Sequence, residues 1–476
     1  MTGDGTGAAT SAAENVGGSV EHLFRHESGR IVSYLTRLLG PEHMDLAEEV
    51  VQEALLKALQ SWSYSGIPSN PAAWLLQVAR NAALDAIRHR KVSSDKEPVL
   101  IAELTAARRP LRPYETSPDA QLRDDELRMI FMCCHPALSP EASVALSLKT
   151  VGGFSVREIA RAFLADEATI AQRLVRSKRQ IRDKRLSFDL PSGFDLSRRL
   201  DSVLDVLYLM FNEGYDAHQG QELIRQDLCF EALRLAQLVA ESSVSAPRVH
   251  ALVALIALQT ARLPARTDGV GDLVLLDQQD RSRWDERLIA LGFQYFDRAI
   301  AGREVSPFHV EAAIAATHTR AATPDETDWK LVLTLYDQLM RLKPSPVVAL
   351  NRSVAVARVQ GAHAALVELD RLDHEAALRN YYLLPAVRGE LLAELNQRNA
   401  AIAAYRQALA LAGNAPERRL RTVYPRYRNA TIQRHYWAGL ELHELIVERK
   451  HQLPVGFVGG CGAGVGRGNG GLHVKG

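Results

Sequence analysis

Cysteine is scarce in this chain: four in 476 residues, at Cys133, Cys134, Cys229 and Cys461. Their spacing offers no disulfide framework. Cys133-Cys134-His135 is too cramped to give three ligands to one ordinary zinc site, so it reads as packed helix surface. Aromatic residues are few, at 6%, and no sustained strand alternation is flanked by turn signals, which argues against a sheet. No apolar stretch free of charge is long enough to span a bilayer, so no membrane contact is expected. The first twenty residues are small and polar, without the basic start or apolar run of a secretory signal, and a reducing cytoplasm is the expected compartment. Charge of either sign is not in excess, since the net formal charge is only +1. Any surface for a polyanion must therefore be local.

What is present is helix. Nearly half the residues are hydrophobic, at 47%, and Ala, Leu and Arg dominate, as in helix-rich proteins. An all-α chain of about three domains is the expectation from length and composition.

The most informative stretch is Phe154-Ser155-Val156-Arg157-Glu158-Ile159-Ala160-Arg161-Ala162-Phe163. Ser155 and Glu158 stand at capping-box spacing, with Phe154 and Ile159 placed as the hydrophobic staple. Leu164-Ala165-Asp166 makes a turn, and Asp166 can N-cap a second helix from Glu167 to Arg185. On that helix Ile170, Leu174 and Ile181 point to a core, while Thr169, Gln172, Arg173, Arg176 and Arg179 point away. From Ser155 to Leu186 there are nine Lys or Arg against four Asp or Glu, so positive charge is concentrated here. Two helices, a tight turn and a basic outer face are the parts of a helix-turn-helix that lays one helix in the major groove. The same pattern also suits a solvated face in a helical bundle.

Around this motif the chain divides by composition. Residues 1–18 read as disordered. A dense helical block follows to Lys91, then a stretch with Pro98, Pro110, Pro113 and Pro118 that reads as a tether. Helices resume at Asp119, and Pro191-Ser192-Gly193 marks a boundary. From Leu196 to about Lys450 the pattern is helical almost throughout. There Val347–Val359 with Ala362–Leu372, and Tyr382–Leu395 with Ala400–Leu411, form two candidate helix pairs, the second separated by Asn396-Gln397-Arg398-Asn399. Gly389, Leu392, Ala400, Tyr405 and Ala408 fall at offsets similar to a tetratricopeptide repeat. An ordinary antiparallel hairpin remains the alternative. The Gly-rich tail cannot bury enough apolar surface to fold alone.

The first block carries two amphipathic helices. In Asp45–Leu59, Leu46, Val50, Leu55 and Leu59 can face a core, leaving Asp45, Glu48, Gln52 and Glu53 on an exposed polar band. In Asn70–Lys91, Asn70 is a reasonable N-cap and Pro71 a good first helical residue. Taken in order, "DLAEEVVQEALLKAL", "PAAWLLQVARNAALDAIRHR" and "FSVREIARAFLADEATIAQRLVRSKRQIR" resemble bacterial RNA polymerase sigma factors of the extracytoplasmic-function, sigma-70 type. The resemblance covers residues 20 to 190. "FMCCHPALSPEASVALSLKTVGGFS", "LMFNEGYDAHQG" and "LLPAVRGELLAELNQRNAAIAAYRQALALAGNAPER" resemble a subgroup with a long tetratricopeptide-like C-terminal extension. The implied division is a sigma-two domain at 19–91, a linker at 92–118 and a sigma-four domain at 119–190. A helical C-terminal domain at 194–450 and a disordered tail at 451–476 complete it.

The resemblance implies binding to core RNA polymerase through Asp45, Glu48, Gln52 and Glu53, whose acceptors suit Arg-rich helices. It implies contact with the minus-ten promoter element through Trp74, Arg80, Asn81, Asp85 and Arg88, with a flipped base held by the loop Ser61–Ser69. Trp74 also suits a core position beside Val78. It implies minus-thirty-five contact through Thr169, Gln172, Arg173, Arg176 and Arg179, with Lys178 and Arg179 reaching phosphates. The extension would contact the sigma domains or polymerase, to restrain or to assist. No catalyst, metal or cofactor is implied. Ala54-Leu55-Leu56 departs from the family, which often has an aromatic after the Gln-Glu pair. Cys133-Cys134-His135 departs too, as a packing feature or a redox pair. The alternatives are a stand-alone helix-turn-helix regulator with a protein-interaction scaffold, or an enzyme in the last block. For the latter only Asn212-Glu213-Gly214-Tyr215 with Asp216 and His218 invites a site, and a structural turn suits them better.

Overall fold

The computed structural model describes residues 27–90, 118–163, 165–215, 226–268, 274 and 276–411. The expected disordered start, the tether, Asp216, His218 and the Gly-rich tail lie outside them. The described chain is all-α, with no β-strand among the described residues. The first block holds helix α1 over 27–39, α2 (Met44–Ser65) and α3 (Pro71–Arg90). Then come α4 (Pro118–Cys133), α5 (Pro140–Thr150), α6 (Val156–Ala162) and α7 (Glu167–Asp183).

Local signals set these helices. Asn70 accepts a hydrogen bond from the Ala73 amide at 3.0 Å, capping α3. Ser139 caps α5 through the Ala142 amide. The capping box at α6 is complete: Ser155 Oγ accepts from the Glu158 amide at 3.2 Å, and the Glu158 carboxylate from the Ser155 amide at 2.8 Å. Phe154 and Ile159 are both buried, as the staple requires. Asp166 is the N-cap of α7 by backbone geometry, though its side chain makes no capping bond.

Pro191 to Gly193 is a crossing without helix, and Gly193 takes φ +60°, open to glycine at little steric cost. Beyond it run α8 (Phe194–Tyr215), α9 (Gln226–Ala240), α10 (Pro247–Thr260), α11 (Glu286–Ile300), α12 (Pro307–Arg320), α13 (Trp329–Leu342), α14 (Pro346–Gln360), α15 (Ala362–Leu372), α16 (Leu383–Glu394) and α17 (Arg398–Leu411). Neighbours in sequence pack as neighbours in space along this series, which is how a helical array grows. The connector before α17 is shorter than the sequence suggested, because Arg398 already belongs to the helix. Asn396 ends α16 in a left-handed conformation at φ +59°, and the Gln397 amide donates to the Leu392 carbonyl at 2.8 Å. At Gly389 a Cβ would meet the Tyr405 ring at 2.8 Å, so the α16–α17 pair closes through a small residue facing an aromatic one.

Two hydrophobic clusters form the interior. One runs continuously from Ile31 to Ala316, holding residues of α1–α7 together with residues of α8–α12. The other runs from Ala265 to Leu391. The first does not stop at Pro191: Phe131, Leu146, Leu204 and Leu207 all belong to it.

Candidate nucleic-acid interface

On α7 the apolar residues lie one turn apart and enter the core: Ile170, Leu174 and Ile181 are buried, as is Ser177. That burial turns the opposite face outward. Thr169, Gln172, Arg176 and Arg179 are exposed and Arg173 is half-buried. The side chains of Thr169, Gln172 and Arg176 have no partner among the described residues. Arg179 pairs with Asp183 one turn on, at 3.2 Å. Arg173 lies over the Phe163 ring at 5.5 Å, bracing the α6–α7 turn by a cation–π contact. The helix thus presents a flexible guanidinium at Arg176, a tethered one at Arg179 and a braced one at Arg173.

Lys178 does not join this face. Its ammonium donates to Asp45 Oδ1 and to Glu48 Oε2, both at 2.8 Å, across more than a hundred residues of chain. Burial alone would lower its pKa, but the charge and hydrogen bonds of Glu48 and Asp45 outweigh it and hold the ammonium above its ordinary value. Phosphate contact by Lys178, as the sequence suggested, would require leaving these carboxylates.

On α2, Leu46 and Val50 are buried and Leu55 half-buried, but Leu59 is 52% exposed and Leu56 60% exposed. Leu59 therefore faces outward, where the sequence pattern placed it inward. The buried stripe of α2 runs through Ala47, Val51, Ala54, Ala58 and Trp62, and Leu59 lies to one side of it. Asp45, Gln52 and Glu53 are exposed and Glu48 is half-buried, so the four expected acceptors line one band. Glu53 pairs with Lys57 at 2.7 Å. The outward pair Leu56 and Leu59 continues the band as an apolar extension; of the two, the sequence pattern places only Leu59, and places it inward.

On α3, Trp74 is half-buried and meets Trp62 edge to face, with centroids 5.4 Å apart. It is therefore part core and part surface. Arg80 is half-buried, donating to the Tyr34 hydroxyl with its guanidinium 4.7 Å from that ring. Asn81 accepts from Gln77 at 3.2 Å. Asp85 and Arg88 are exposed and 3.9 Å apart. Helix α2 continues through Ser65, so the expected loop Ser61–Ser69 is non-helical only after it. These residues share one helix with α3's buried face at Leu75, Ala79, Ala82, Ala83 and Ile87.

Cys133 and Cys134, at the C-terminal end of α4, are buried where that helix packs against its neighbours. Cys133 faces the Thr150 hydroxyl at 3.3 Å and Cys134 the Ser147 hydroxyl at 3.7 Å. Burial pushes both thiols up, Cys134 to about 12, so each stays protonated and unreactive at neutral pH. His135 accepts from the Ala137 amide at 3.0 Å and closes the turn after α4. Asn212, Glu213 and Tyr215 are buried. Tyr215 donates to Gln259 at 3.1 Å, and the Arg266 guanidinium donates to the Tyr215 carbonyl at 2.8 Å. That cluster ties α8 to α10 and to the turn after it, as a structural element would. Among the described residues no group of His, Cys, Asp and Glu could hold a metal ion, and no helix is long and apolar enough to cross a membrane.

Comparison with known proteins adds the following. Residues 23–92 match the model for Sigma-70 region 2, and residues 128–181 match Sigma-70 region 4. Residues 199–300 match a family of unknown function, DUF6596. An uncharacterized protein of Rhizobium meliloti (strain 1021) is 41% identical over 376 residues, covering 79% of this chain and 88% of that one. The RNA polymerase sigma factor CarQ of Myxococcus xanthus is 29% identical over 139 residues, covering 29% of this chain and 73% of its own. The ECF RNA polymerase sigma factor SigK of Mycobacterium ulcerans (strain Agy99) is 25% identical over 153 residues, covering 32% of this chain and 78% of its own. No solved structure matches.

Proposed function

The chain belongs to the extracytoplasmic-function sigma-70 family, as a member with a long C-terminal extension, and on that premise we propose that it binds core RNA polymerase and directs it to promoters in the cytoplasm. The observation that carries the proposal is the outward face of α7, where Thr169, Gln172 and Arg176 stand exposed with no partner among the described residues, backed by a buried Ile170–Leu174–Ile181 seam. A recognition helix needs that combination: rigid seating below, uncommitted donors and acceptors above.

In this reading the protein is not a catalyst; the polymerase performs the chemistry and this chain supplies specificity. Gln172 suits adenine and Arg176 guanine in the major groove of the minus-thirty-five element, while Thr169, Arg173 and Arg179 position the helix on the backbone. Asp85, Arg88, Asn81, Arg80 and Trp74 form the minus-ten surface, where exposed bases are captured by stacking and edge contacts. Asp45, Glu48, Gln52 and Glu53 form the polymerase-binding band.

The same reading gives the extension a regulatory or assisting role through direct contact with the sigma domains. Three charged contacts support it. Arg234 of α9 bridges Glu126 of α4 at 2.8 Å, Arg199 of α8 donates to the Phe131 carbonyl, and Arg123 lies 3.6 Å from Glu241. Glu126 is buried, so this pairing is well shielded from salt.

Run-off transcription with bacterial core polymerase, on the DNA upstream of the gene, tests the proposal. Full-length protein is expected to yield a discrete transcript, and Arg234→Ala to change its amount. Failure both to bind core and to yield a transcript from any promoter library would return the chain to a stand-alone DNA-binding regulator.

A further inference from the structure

The polymerase-binding band and the recognition helix are not independent in this molecule. Lys178 leaves the DNA face and spends both of its contacts on Asp45 and Glu48, two of the four band residues. The seat is tight. Lys178 and Glu48 retain only 14% and 17% of their side-chain exposure, and Glu48 Oε1 is buried with no hydrogen-bond partner among the described residues. Further contacts hold the same two blocks together. Arg37 of α1 pairs with Asp125 of α4 at 2.8 Å, and the turn Pro41–His43 packs on α7. At Gly29 the α1 backbone approaches the carbonyl of Val151 so closely that any added Cβ would overlap it.

We infer that this is a closed resting form, in which Lys178 of the recognition helix masks the Asp45–Glu48 end of the polymerase-binding band, and that polymerase binding requires the two blocks to part. The inference rests on the assignment of that band to polymerase. A partner with Arg-rich helices presents the chemistry needed for the exchange: it can replace one ammonium at Asp45 and Glu48 and also satisfy the oxygen that Lys178 leaves unpartnered. Arg exceeds Lys in this respect because its planar fork reaches both oxygens of a carboxylate. The outer face of α7 stays exposed in the closed form, so the mask acts on polymerase and leaves DNA-reading side chains open. The apparent affinity for polymerase is then the intrinsic affinity scaled by the open fraction.

Two measurements on the full-length protein test this, both without DNA. In the first, affinity for core polymerase is measured for wild type, Lys178→Ala, Gly29→Ala and Glu53→Ala. Lys178→Ala and Gly29→Ala each weaken closure while leaving all four band side chains in place, and are expected to bind roughly five- to tenfold more tightly. Glu53→Ala, exposed in the closed form, is expected to bind more weakly. Unchanged or weaker binding by both Lys178→Ala and Gly29→Ala, with Glu53→Ala weakened, overturns the closed form while leaving the sigma reading intact. Absence of core binding by all four proteins removes the sigma reading, and the inference with it. In the second, a zero-length carbodiimide joins ammonium to carboxylate in the wild-type protein, and the linked peptides are identified by mass spectrometry. A Lys178 link to Asp45 or Glu48 is expected in the free protein and lost in the polymerase complex. The same link at equal yield in the complex, or none in the free protein, overturns the inference.

Discussion

Substitution of three arginines on α7 separates base reading from backbone positioning and from bracing, because their surroundings differ. Arg176 is exposed and has no hydrogen bond or ion pair among the described residues, so Arg176→Ala is expected to leave the seam of Ile170, Leu174 and Ile181 as it was. Its effect on folding stability is expected to stay within about 0.5 kcal/mol. Its effect on promoter binding is expected to be about 1–3 kcal/mol, confined to one base pair, as for a lost guanine contact. Arg179 is tethered to Asp183. Arg179→Ala is expected to weaken binding to all sequences alike and to lower the salt slope by about 1. Arg173 braces Phe163, so Arg173→Ala is expected to lose about 0.5–1 kcal/mol of folding stability in addition to any DNA effect.

The assay is fluorescence anisotropy of the polymerase complex on a labelled promoter, with each base pair of the minus-thirty-five element changed in turn, across a salt series. Thermal melts of the free variants supply the stability arm. If Arg176→Ala and Arg179→Ala gave the same loss at every base pair and the same change in salt slope, base reading by Arg176 would be refuted. A stability loss at Arg176 as large as that at Arg173 would refute the claim that Arg176 is uncommitted in the fold.

Other outcomes follow from the interior. Cys133 and Cys134 are expected to resist alkylation in the folded protein with or without prior oxidant, and rapid labelling at neutral pH would contradict their burial. Burial and the charges of Arg199, Lys184 and Arg198 take His135 down to about 4, and burial with Arg262, Arg281 and Arg358 takes His318 down to about 3. Both are neutral in the fold but gain a proton when unfolded below their ordinary value of 6.5, so stability is expected to fall as pH drops from about 6.5 toward 4; a melting temperature flat over that range would be inconsistent. Gly389→Ala forces a methyl toward Tyr405 and is expected to cost about 1–3 kcal/mol in the α16–α17 pair, read by hydrogen exchange of that pair. Termination after Pro191 strips the first hydrophobic cluster of its α8–α12 half, and the shortened chain is expected to aggregate or to bind a hydrophobic dye where the full chain does not.

The parts legible in the sequence are those governed by short-range rules. The capping box at Ser155 and Glu158, the Phe154–Ile159 staple, the Asn70 cap and the buried stripe of α7 each depend on residues within a few positions of one another. The bounds of the α14–α15 pair came within a residue or two for the same reason, since Gly361 and the flanking prolines punctuate it. The illegible parts depend on what lies across the chain. Periodicity gives Lys178 a place on the flank of α7 but cannot name Asp45 and Glu48 as its partners. Periodicity likewise puts Leu59 and Leu55 on one stripe, and only the packing around α2, centred on Ala54, Ala58 and Trp62, leaves Leu55 half-buried and Leu59 exposed. The packing partners of Cys133 and Cys134 are illegible for the same reason: adjacent positions at the end of a helix are both buried only where other helices enclose them, and α5 and α8 do so here.

That enclosure bears on how the extension is connected to function. An appended regulator with its own core could be released by a hinge at Pro191–Gly193 at small cost. Here α4 packs on α8 and α9 within one apolar cluster, and the buried Glu126 depends on Arg234 for its counter-charge. Removing one partner of a buried pair is strongly destabilising, because the other is left charged and desolvated. Helices α4–α7 and the start of the extension are therefore expected to move together, and the closed form inferred for this chain puts the parting surface between α1–α3 and α4–α7. It is held by Arg37–Asp125, by Gly29 against Val151 and by Lys178 on Asp45 and Glu48. Ile31, Leu35 and Val51 share that apolar cluster with Leu146, Val151 and Phe154, so movement of α4 and α7 against α1 and α2 is expected to expose part of the interior as well as to break these polar contacts.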